Sequence, residues 1–583
     1  MRKTKIVCTL GPASESLEIM VALIKAGMNV ARLNLSHGTH EEHLRRIETL
    51  RAACDVVGQP VAVMLDTKGP EIRLGRFAGG GADLVEGSEF TLTTLEVLGN
   101  QGIAQVLHAG FPRDVAKGMR VLLDDGNISL EVLEVGETDV RCRVLNSGRI
   151  SDRKKVNLPD AAVSLPALSE KDIEDIRFGV RYGVDFIAAS FIRKEADVLS
   201  IRRVIEEAGG SIHTISKIES REGVANLDEI LRVSDGLMVA RGDLGVEIPP
   251  EEVPIIQKHM IEKCNRLGKP VITATQMLES MVTRPRSTRA EASDVANAIF
   301  DGTDAVMLSA ETAAGKYPVE SVAIMARIAE RAEAALRYEE LLARRRTVAA
   351  RTVTDAISSA TCGMANDLGA AAILTATESG HTARMVAKYR PRAPILAATT
   401  HPEVMRKLLL VWGVYPVLVR RVTGTDDMVY EAVRAGLDCG LIKKGDLTVI
   451  TAGVPVGVPG TTNLIKVHTV GDIVVRGTGI GAKSATGRAC VARTARDAEG
   501  KFSPGDVLVT LGTDRDFIPL MEKAAAVVAE EGGLTSHAAI TCLHLGIPAV
   551  VGAEGATGKL SDGQVITIDA QRGLVYLGEA RVL

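Results

Sequence analysis

The sequence predicts an α/β protein built on a closed (β/α)8 barrel, with a β-domain inserted into the barrel and two smaller domains after it. Three observations predict this. Over the first 335 or so residues, apolar strand-like runs alternate with amphipathic helical patterns, as βα units on a parallel sheet require. One interval, Pro70 to Pro166, breaks the alternation with short strands and tight turns. Polar residues collect at the C-terminal ends of the strand-like runs, the face on which barrel enzymes carry their sites.

In chain order, the predicted barrel strands are Lys5–Leu10, Val30–Leu35, Val61–Asp66, Phe186–Phe191, His213–Ile218, Gly236–Ala240, Val271–Ala274 and Ala305–Leu308. Most are followed by a helical pattern such as Glu222–Leu231 or Glu251–Leu267. Eight such units suffice to close a barrel. The interval between strands three and four contains Glu89–Thr94, Arg120–Leu123, the turn Asp124-Asp125-Gly126-Asn127 and Val140–Leu145. An insertion in that loop lies at the active-site face, so it is predicted to act as a lid. After the run Arg344-Arg345-Arg346, read as a solvated helix face or linker, a second alternation begins. It comprises helix Thr354–Leu368, strand Ala371–Thr375, helix Thr382–Tyr389, strand Ile395–Ala398, helix Asp426–Leu441 and strand Leu447–Thr451, a small doubly wound domain. From Gly477 the texture turns Gly-rich, with a helix after Gly532-Gly533 and terminal strands Val565–Ile568 and Gly573–Tyr576. The predicted domains are therefore 1–69 with 167–340 (barrel), 70–166 (lid), 341–475 (αβ) and 476–583 (extra unit).

Composition narrows the function class. The chain has 583 residues, and a net charge of −4 with both signs dispersed argues against nucleic acid or an anionic membrane as partner. Its most apolar run, Leu408 to Val419, is broken by Gly413 and Pro416 and is too short to span a bilayer. No stretch of signal-peptide type follows Met1, so a cytoplasmic protein is expected. Eight scattered cysteines without a Cys-x-x-Cys pair indicate reduced thiols.

The chemistry is concentrated where strands end. Ser216-Lys217-Ile218-Glu219 closes strand five and Arg241-Gly242-Asp243 follows strand six, so a lysine and two carboxylates converge. Two carboxylates beside an ammonium make a divalent-metal site suited to phosphorylated or enolic substrates. Strand two ends in Arg32-Leu33-Asn34-Leu35-Ser36-His37, whose alternate residues Arg32, Asn34 and Ser36 share a face. Strand three ends in Asp66-Thr67-Lys68-Gly69-Pro70-Glu71-Ile72-Arg73. Strand four adds Ser190, strand seven Thr275 and Gln276, and strand eight Ser309 and Glu311.

These residues resemble a known family. Thr4–Gly11 with Pro12-Ala13-Ser14, Ala31–Gly38, Leu65–Arg73, Ser216–Glu219, Met238–Glu247, Thr273–Met281 and Met307–Thr312 are similar, in order and spacing, to the motifs of pyruvate kinases over roughly residues 1–475. The resemblance implies a TIM barrel with a β-barrel lid and a C-terminal αβα domain. It implies transfer of the phosphoryl group of phosphoenolpyruvate to ADP, giving pyruvate and ATP, the last step of glycolysis, in a homotetramer. By resemblance, Glu219 and Asp243 hold Mg²⁺ or Mn²⁺, and Lys217 stabilises charge between phosphate and enolate. Arg32 and Arg73 contact phosphate and nucleotide, joined by Lys155, Asn34 and His37 on the nucleotide. Ser190, the backbone at Gly242 and Asp243, and Thr275 seat the substrate carboxylate, and Thr275 belongs to the proton relay. Asn34, Ser36, Asp66 and Thr67 match the K⁺ ligands, and the acidic Glu71 goes with K⁺ dependence.

Two further segments carry expectations. Thr377, Ser379, Gly380, His381 and Thr382 join a strand end to a helix start and read as an anion pocket for a phosphorylated effector, although His381 stands where arginine or lysine is frequent. Gly532-Gly533-Leu534-Thr535-Ser536-His537 with Gly546–Gly552 and Asp562-Gly563 resembles the mobile phosphohistidine domain of phosphoenolpyruvate-utilising enzymes, with His537 at the phosphorylated position. A structural or regulatory role for this unit is expected over phosphotransfer. The rival readings are a synthase or dikinase relaying phosphate through His537, and a non-catalytic binding protein. In a dikinase the barrel motifs follow the phosphohistidine domain, and here they precede it; a binding protein would have lost one of Lys217, Glu219, Asp243 or Arg32, and all are present.

Overall fold

The computed structural model describes residues 1–582 apart from 160, 162, 348–351, 423 and 455–461. It divides into two compact units, Met1–Ala349 with His401–Pro416, and Ala350–Thr400 with Val417–Leu583.

In the first unit, eight parallel strands close a barrel: Lys5–Thr9, Val30–Asn34, Ala62–Asp66, Phe186–Ala189, His213–Ile218, Gly236–Ala240, Val271–Ala274 and Ala305–Leu308. Sequence neighbours are spatial neighbours throughout, and the first strand pairs with both the second and the eighth. Strand four is shorter than predicted because Phe191, two residues past its end, takes φ +54. Parallel register sets side chains of adjacent strands at one level: Asn34 is opposite Asp66, and Lys217 opposite Met238. Inward residues Val7, Val30, Met64, Phe186, Ile215, Met238, Ile272 and Met307 fill the barrel, and Leu409 and Leu410 from a much later segment join this cluster.

The surrounding helices start at strong caps. Thr39 with Glu42, Ser169 with Asp172, and Thr288 with Glu291 each form a reciprocal capping box, so the backbone N–H groups that the first turn leaves open are satisfied. Their apolar stripes pack on the outer barrel face with Ile47, Leu50, Ile176, Ile201 and Met260 fully buried.

The insertion is a β-domain as predicted, with a seven-stranded sheet and a two-stranded one around Phe90, Leu92, Val121, Leu130 and Val140. The turn at Asp124–Asn127 links antiparallel strands Arg120–Leu123 and Ile128–Val135. Asp124, Asp125 and Gly126 all have positive φ, the left-handed conformation that Asp and Gly tolerate in turns.

The second unit holds an eight-stranded sheet and four strands of a five-stranded one. The predicted strands appear at Ala372–Ala376, Ile395–Thr399 and Leu447–Gly453, alternating with helices Val353–Asp367, His381–Ala387 and Thr425–Asp438. Two strands in this sheet are additions to the prediction, Val414–Leu418 at one edge and Thr462–Thr469 antiparallel at the other. The former carries Pro416, tolerated because an edge strand need not donate on both sides. The eight-stranded sheet includes Val565–Asp569 and Leu574–Leu577, with helix His537–Leu545 packed on it through Ala538, Ala539 and Cys542. All eight cysteines are free thiols, in line with the spacing. Among the described residues no helix is long and apolar enough to cross a membrane.

Candidate active site

Strand five delivers Lys217 and then Glu219 just past its end, alternate residues on one face. Lys217 Nζ lies 3.0 Å from Glu219 Oε1, 3.0 Å from Asp66 Oδ1 and 2.7 Å from Ser190 Oγ. Asp66, the last residue of strand three, also accepts from Arg32 Nε at 2.6 Å, and Arg32 donates on to Thr9 Oγ1 at 2.9 Å. The ends of strands two, three, four and five are thereby joined in one chain of charges, with Arg32, Asp66, Lys217 and Glu219 all buried.

The electrostatics follow from that chain. Burial disfavours the Lys217 ammonium, but Asp66 and Glu219 outweigh it and raise its pKa above the ordinary value, so the cation is permanent at neutral pH. Burial likewise works against the Asp66 carboxylate, and Arg32 and Lys217 overcome it, holding its pKa low. Glu219 goes the other way: burial, with the charge of Asp243 adding to it, raises its pKa despite Lys217. Its second oxygen accepts the backbone N–H of Phe191 at 2.6 Å. Asp243 sits in the short helix Arg241–Glu247 that opens directly after strand six, and its Oδ1 takes Lys155 Nζ of the lid at 2.5 Å. That contact raises the lysine and lowers the aspartate against the burial of each.

Glu219 and Asp243 fit a divalent cation by chemistry as well as by position. They offer hard oxygen donors, and Glu219 feels the charge of Asp243, so a cation beside both would relieve a repulsion that Lys217 relieves only in part. Among the described residues no group of three or more His, Cys, Asp or Glu side chains assembles as a metal site, so a cation here would have Glu219 and Asp243 as its carboxylate ligands and take its remaining oxygens from substrate and water. For a monovalent ion, Asp66 and Thr67 are buried at one strand end and Asn34 lies opposite Asp66, while the exposed Ser36, two residues past its strand, donates its N–H to Asn34 Oδ1 at 3.1 Å. Thr67 Oγ1 accepts the N–H of Ser190 at 3.3 Å.

Thr275, the residue after strand seven, is tied to the segment that carries Asp243. Its Oγ1 accepts the Gly242 N–H at 2.8 Å and donates to the Ala274 carbonyl at 2.7 Å. Thr275 and Gln276 both hold left-handed φ, +67 and +54, a costly conformation for side-chain-bearing residues that is retained where the chain end must be aimed. Gly69 has φ +71, and a Cβ there would lie 2.8 Å from the Ser190 Cβ, so the turn into the lid demands glycine.

Structure separates the remaining predicted residues by role. Arg73 is held by Glu71 at 2.7 Å and by the Arg153 carbonyl of the lid, in a strand paired with Lys155. His37 is exposed and uses its carbonyl to accept from His43 Nε2. Glu311, in the short helix Ala310–Ala313 after strand eight, has both oxygens engaged by the N–H groups of Leu278 and Ser309, so it braces the segments that follow strands seven and eight. Sequence reasoning passed over the side chain of Arg241, which spans to Asp294 at 2.7 Å and to the Thr275 carbonyl at 2.7 Å. It also passed over Asn157 and Glu247, hydrogen-bonded at 2.9 Å; a polar pair at i+2 and i+4 from Lys155 and Asp243 was the available signal.

In the second unit, Gly380 (φ +76) precedes helix His381–Ala387, and Thr382 Oγ1 shares a 2.8 Å hydrogen bond with Thr462. Thr377 is buried, Ser379 exposed, and the pKa of His381 is lowered by burial and by Arg384. His537 is the first residue of its helix, after the cap Ser536, with Nδ1 hydrogen-bonded to Thr513 Oγ1 at 2.8 Å.

Comparison with known proteins identifies the family. Residues 1–322 match the pyruvate kinase barrel domain and residues 355–468 its alpha/beta domain. The chain belongs to the pyruvate kinase family. Pyruvate kinases of Geobacillus stearothermophilus, Bacillus licheniformis and Sporosarcina psychrophila are 57%, 54% and 53% identical to it, each over 100% of both chains. A solved pyruvate kinase from Cryptosporidium parvum superposes with TM-score 0.77 at 43% identity, covering 80% of this chain and 96% of its own. Residues 502–573 match the mobile domain of PEP-utilising enzymes. A dikinase fragment and a non-catalytic binder are set aside: the chain is an enzyme of pyruvate kinase type.

Proposed function

We propose that this enzyme transfers the phosphoryl group of phosphoenolpyruvate to ADP at the strand ends around Lys217, as the terminal step of glycolysis, with Mg²⁺ (or Mn²⁺) and K⁺. The observation that carries the proposal is the buried Lys217 ammonium bonded to Asp66, Ser190 and Glu219 beside Asp243. An ammonium fixed by three oxygens is preorganised, so it meets charge developing on a bridging oxygen without reorganising. Arg32, oriented by Asp66 and Thr9, binds a phosphoryl oxygen, and Arg73 and Lys155 bind the nucleotide phosphates, with Asn34 and His37 at the nucleotide. The Gly242 and Asp243 backbone with Thr275 and Ser190 seats the substrate carboxylate, and Thr275 joins the relay that protonates the enolate. Glu219 and Asp243 would hold the divalent ion, which supplies charge neutralisation to substrate oxygens. Asn34, Ser36, Asp66 and Thr67 would hold K⁺.

Glu71 bears on the K⁺ reading, since it neutralises Arg73 and leaves that charge to be completed by a bound cation. A Glu71→Lys variant is expected to depend less on K⁺. The test is a lactate dehydrogenase-coupled assay with phosphoenolpyruvate, ADP and Mg²⁺, in K⁺ or in a bulky organic cation. Pyruvate production requiring Mg²⁺ and K⁺ is expected; full wild-type rate without K⁺ would sink the potassium claim, and no pyruvate in any condition would sink the reaction.

The chain is proposed to work as a cytoplasmic homotetramer and to respond to a phosphorylated effector at Thr377, Ser379, Gly380, His381 and Thr382. Substrate saturation curves unchanged by a panel of sugar phosphates and nucleoside monophosphates would count against the effector. The extra unit is proposed as structural or regulatory, because His537 is held by a neutral hydroxyl and phosphoryl transfer at Lys217 needs no histidine carrier. Acid-labile ³²P appearing on His537 after incubation with phosphoenolpyruvate would overturn that.

A further inference from the structure

We infer that Lys155 competes with the divalent cation for Asp243, and that the hydrogen bond between Asn157 and Glu247 positions the lid strand that brings it there. The inference rests on the reading of Glu219 and Asp243 as metal ligands. Lid strand Lys155–Asn157 presents residues i and i+2 on one face, and helix Arg241–Glu247 presents i and i+4 on one face. The two faces meet in register, Lys155 Nζ on Asp243 Oδ1 at 2.5 Å and Asn157 Nδ2 on Glu247 Oε1 at 2.9 Å. Between them Val156 is buried in the lid core, so the strand is anchored from behind as well. A carboxylate only accepts, which fixes the Asn157 amide with its nitrogen toward Glu247. The Lys155 ammonium also lies 4.4 Å from the centre of the Phe191 ring, the residue whose N–H binds Glu219.

This arrangement sets two cations against one carboxylate. A divalent ion on Asp243 repels an ammonium hydrogen-bonded to the same group, so each weakens the other. A phosphate that draws Lys155 off Asp243 then strengthens the metal, and by reciprocity the metal frees Lys155 for phosphate. Asn157 and Glu247 take no part in that exchange, since neither bears on Asp243. They keep the lid strand over the helix while Lys155 changes partner.

The test is titration of Mn²⁺ into the full chain without substrates, with free Mn²⁺ read by electron paramagnetic resonance. Lys155→Met is expected to tighten Mn²⁺ binding about tenfold, the scale of one charge-assisted hydrogen bond removed from the competing side. Lys155→Arg, which keeps the charge, is expected to stay within about threefold of wild type. Asn157→Ala, which leaves every charge in place, is expected to tighten binding about threefold because Lys155 is less firmly placed. This variant also keeps the idea open to test should Lys155→Met lose its fold. Unchanged or weaker Mn²⁺ affinity in Lys155→Met, with wild-type binding abolished by Glu219→Gln, would overturn the competition and leave the metal site standing. Mn²⁺ binding indifferent to Glu219→Gln would overturn both.

Discussion

At the C-terminal ends of barrel strands two to five charged side chains bind one another in one continuous chain, whereas at the N-terminal ends Asp185, Asp235, Asp304 and Glu333 each accept backbone N–H groups, Asp185 and Asp235 pairing with Arg406 and Arg202 as well. The upper end runs Arg32 to Asp66 to Lys217 to Glu219, with Lys155 on Asp243 beside it. At the lower end, Lys5 Nζ donates to the Val414 carbonyl, Asp304 accepts the N–H groups of Trp412 and Val271, and Glu333 accepts those of Lys3 and Thr4. A charge bound to backbone is fixed for the life of the fold. A charge bound to another side chain can exchange that partner for a substrate or an ion, and the upper end is accordingly where the reaction is proposed.

The sharpest way to break this comparison is Lys217→Met. It is expected to lower kcat by about 10²–10³-fold or more in the coupled pyruvate assay, the scale of losing a preorganised donor to a developing oxyanion. A rate within tenfold of wild type would mean that the side-chain network is not the reactive one. Leu410→Ala probes the lower end. Its side chain is fully buried among the inward barrel residues, so its truncation should cost about 2–5 kcal/mol in denaturant unfolding while KM stays unchanged.

Lys5 sharpens the contrast by pH. Burial and the nearby Arg2 bring it down from 10.5 to about 7, against the pull of Glu333 and Asp304. Between pH 10.5 and about 7 the unfolded chain holds a proton that the folded one lacks. Stability should therefore fall as pH drops across that window and level off below it, by an amount on the order of a few kcal/mol. Lys5→Met should flatten the profile measured by urea unfolding at a series of pH values. The smallest effect is expected outside both ends: His537→Ala should leave kcat and KM within about twofold, and a large loss would bring the extra unit into the chemistry.

Much of this was legible in the sequence because the signals were local. Each barrel strand is a short apolar run, and strands five to eight match their predicted bounds residue for residue. Lys217, Glu219 and Asp243 were readable because a parallel sheet puts all strand ends at one face. What the sequence hid depends on distant pairing. The strand Thr462–Thr469 mixes Asn463, Lys466 and His468 among its apolar residues, and its place is fixed by seven partners on Leu447–Gly453. The side-chain partners of Arg241 were hidden in the same way, since only the fold brings Asp294 and Thr275 beside it. The role of Leu409 and Leu410 was hidden too, since an apolar run states that it is buried without stating where.

That last segment has a consequence for how the protein is made. Leu409 and Leu410, which complete the barrel interior, stand roughly a hundred residues downstream of the last barrel strand, Ala305–Leu308. At ordinary elongation speeds a ribosome spends on the order of 5–20 s on that interval. All eight strands are available throughout it, yet the base of the nascent barrel stays uncorked, with an apolar interior open to other chains. Any fragment ending between the last strand and residue 410 inherits the same exposure permanently, and a barrel expressed alone would need a substitute stopper to stay soluble.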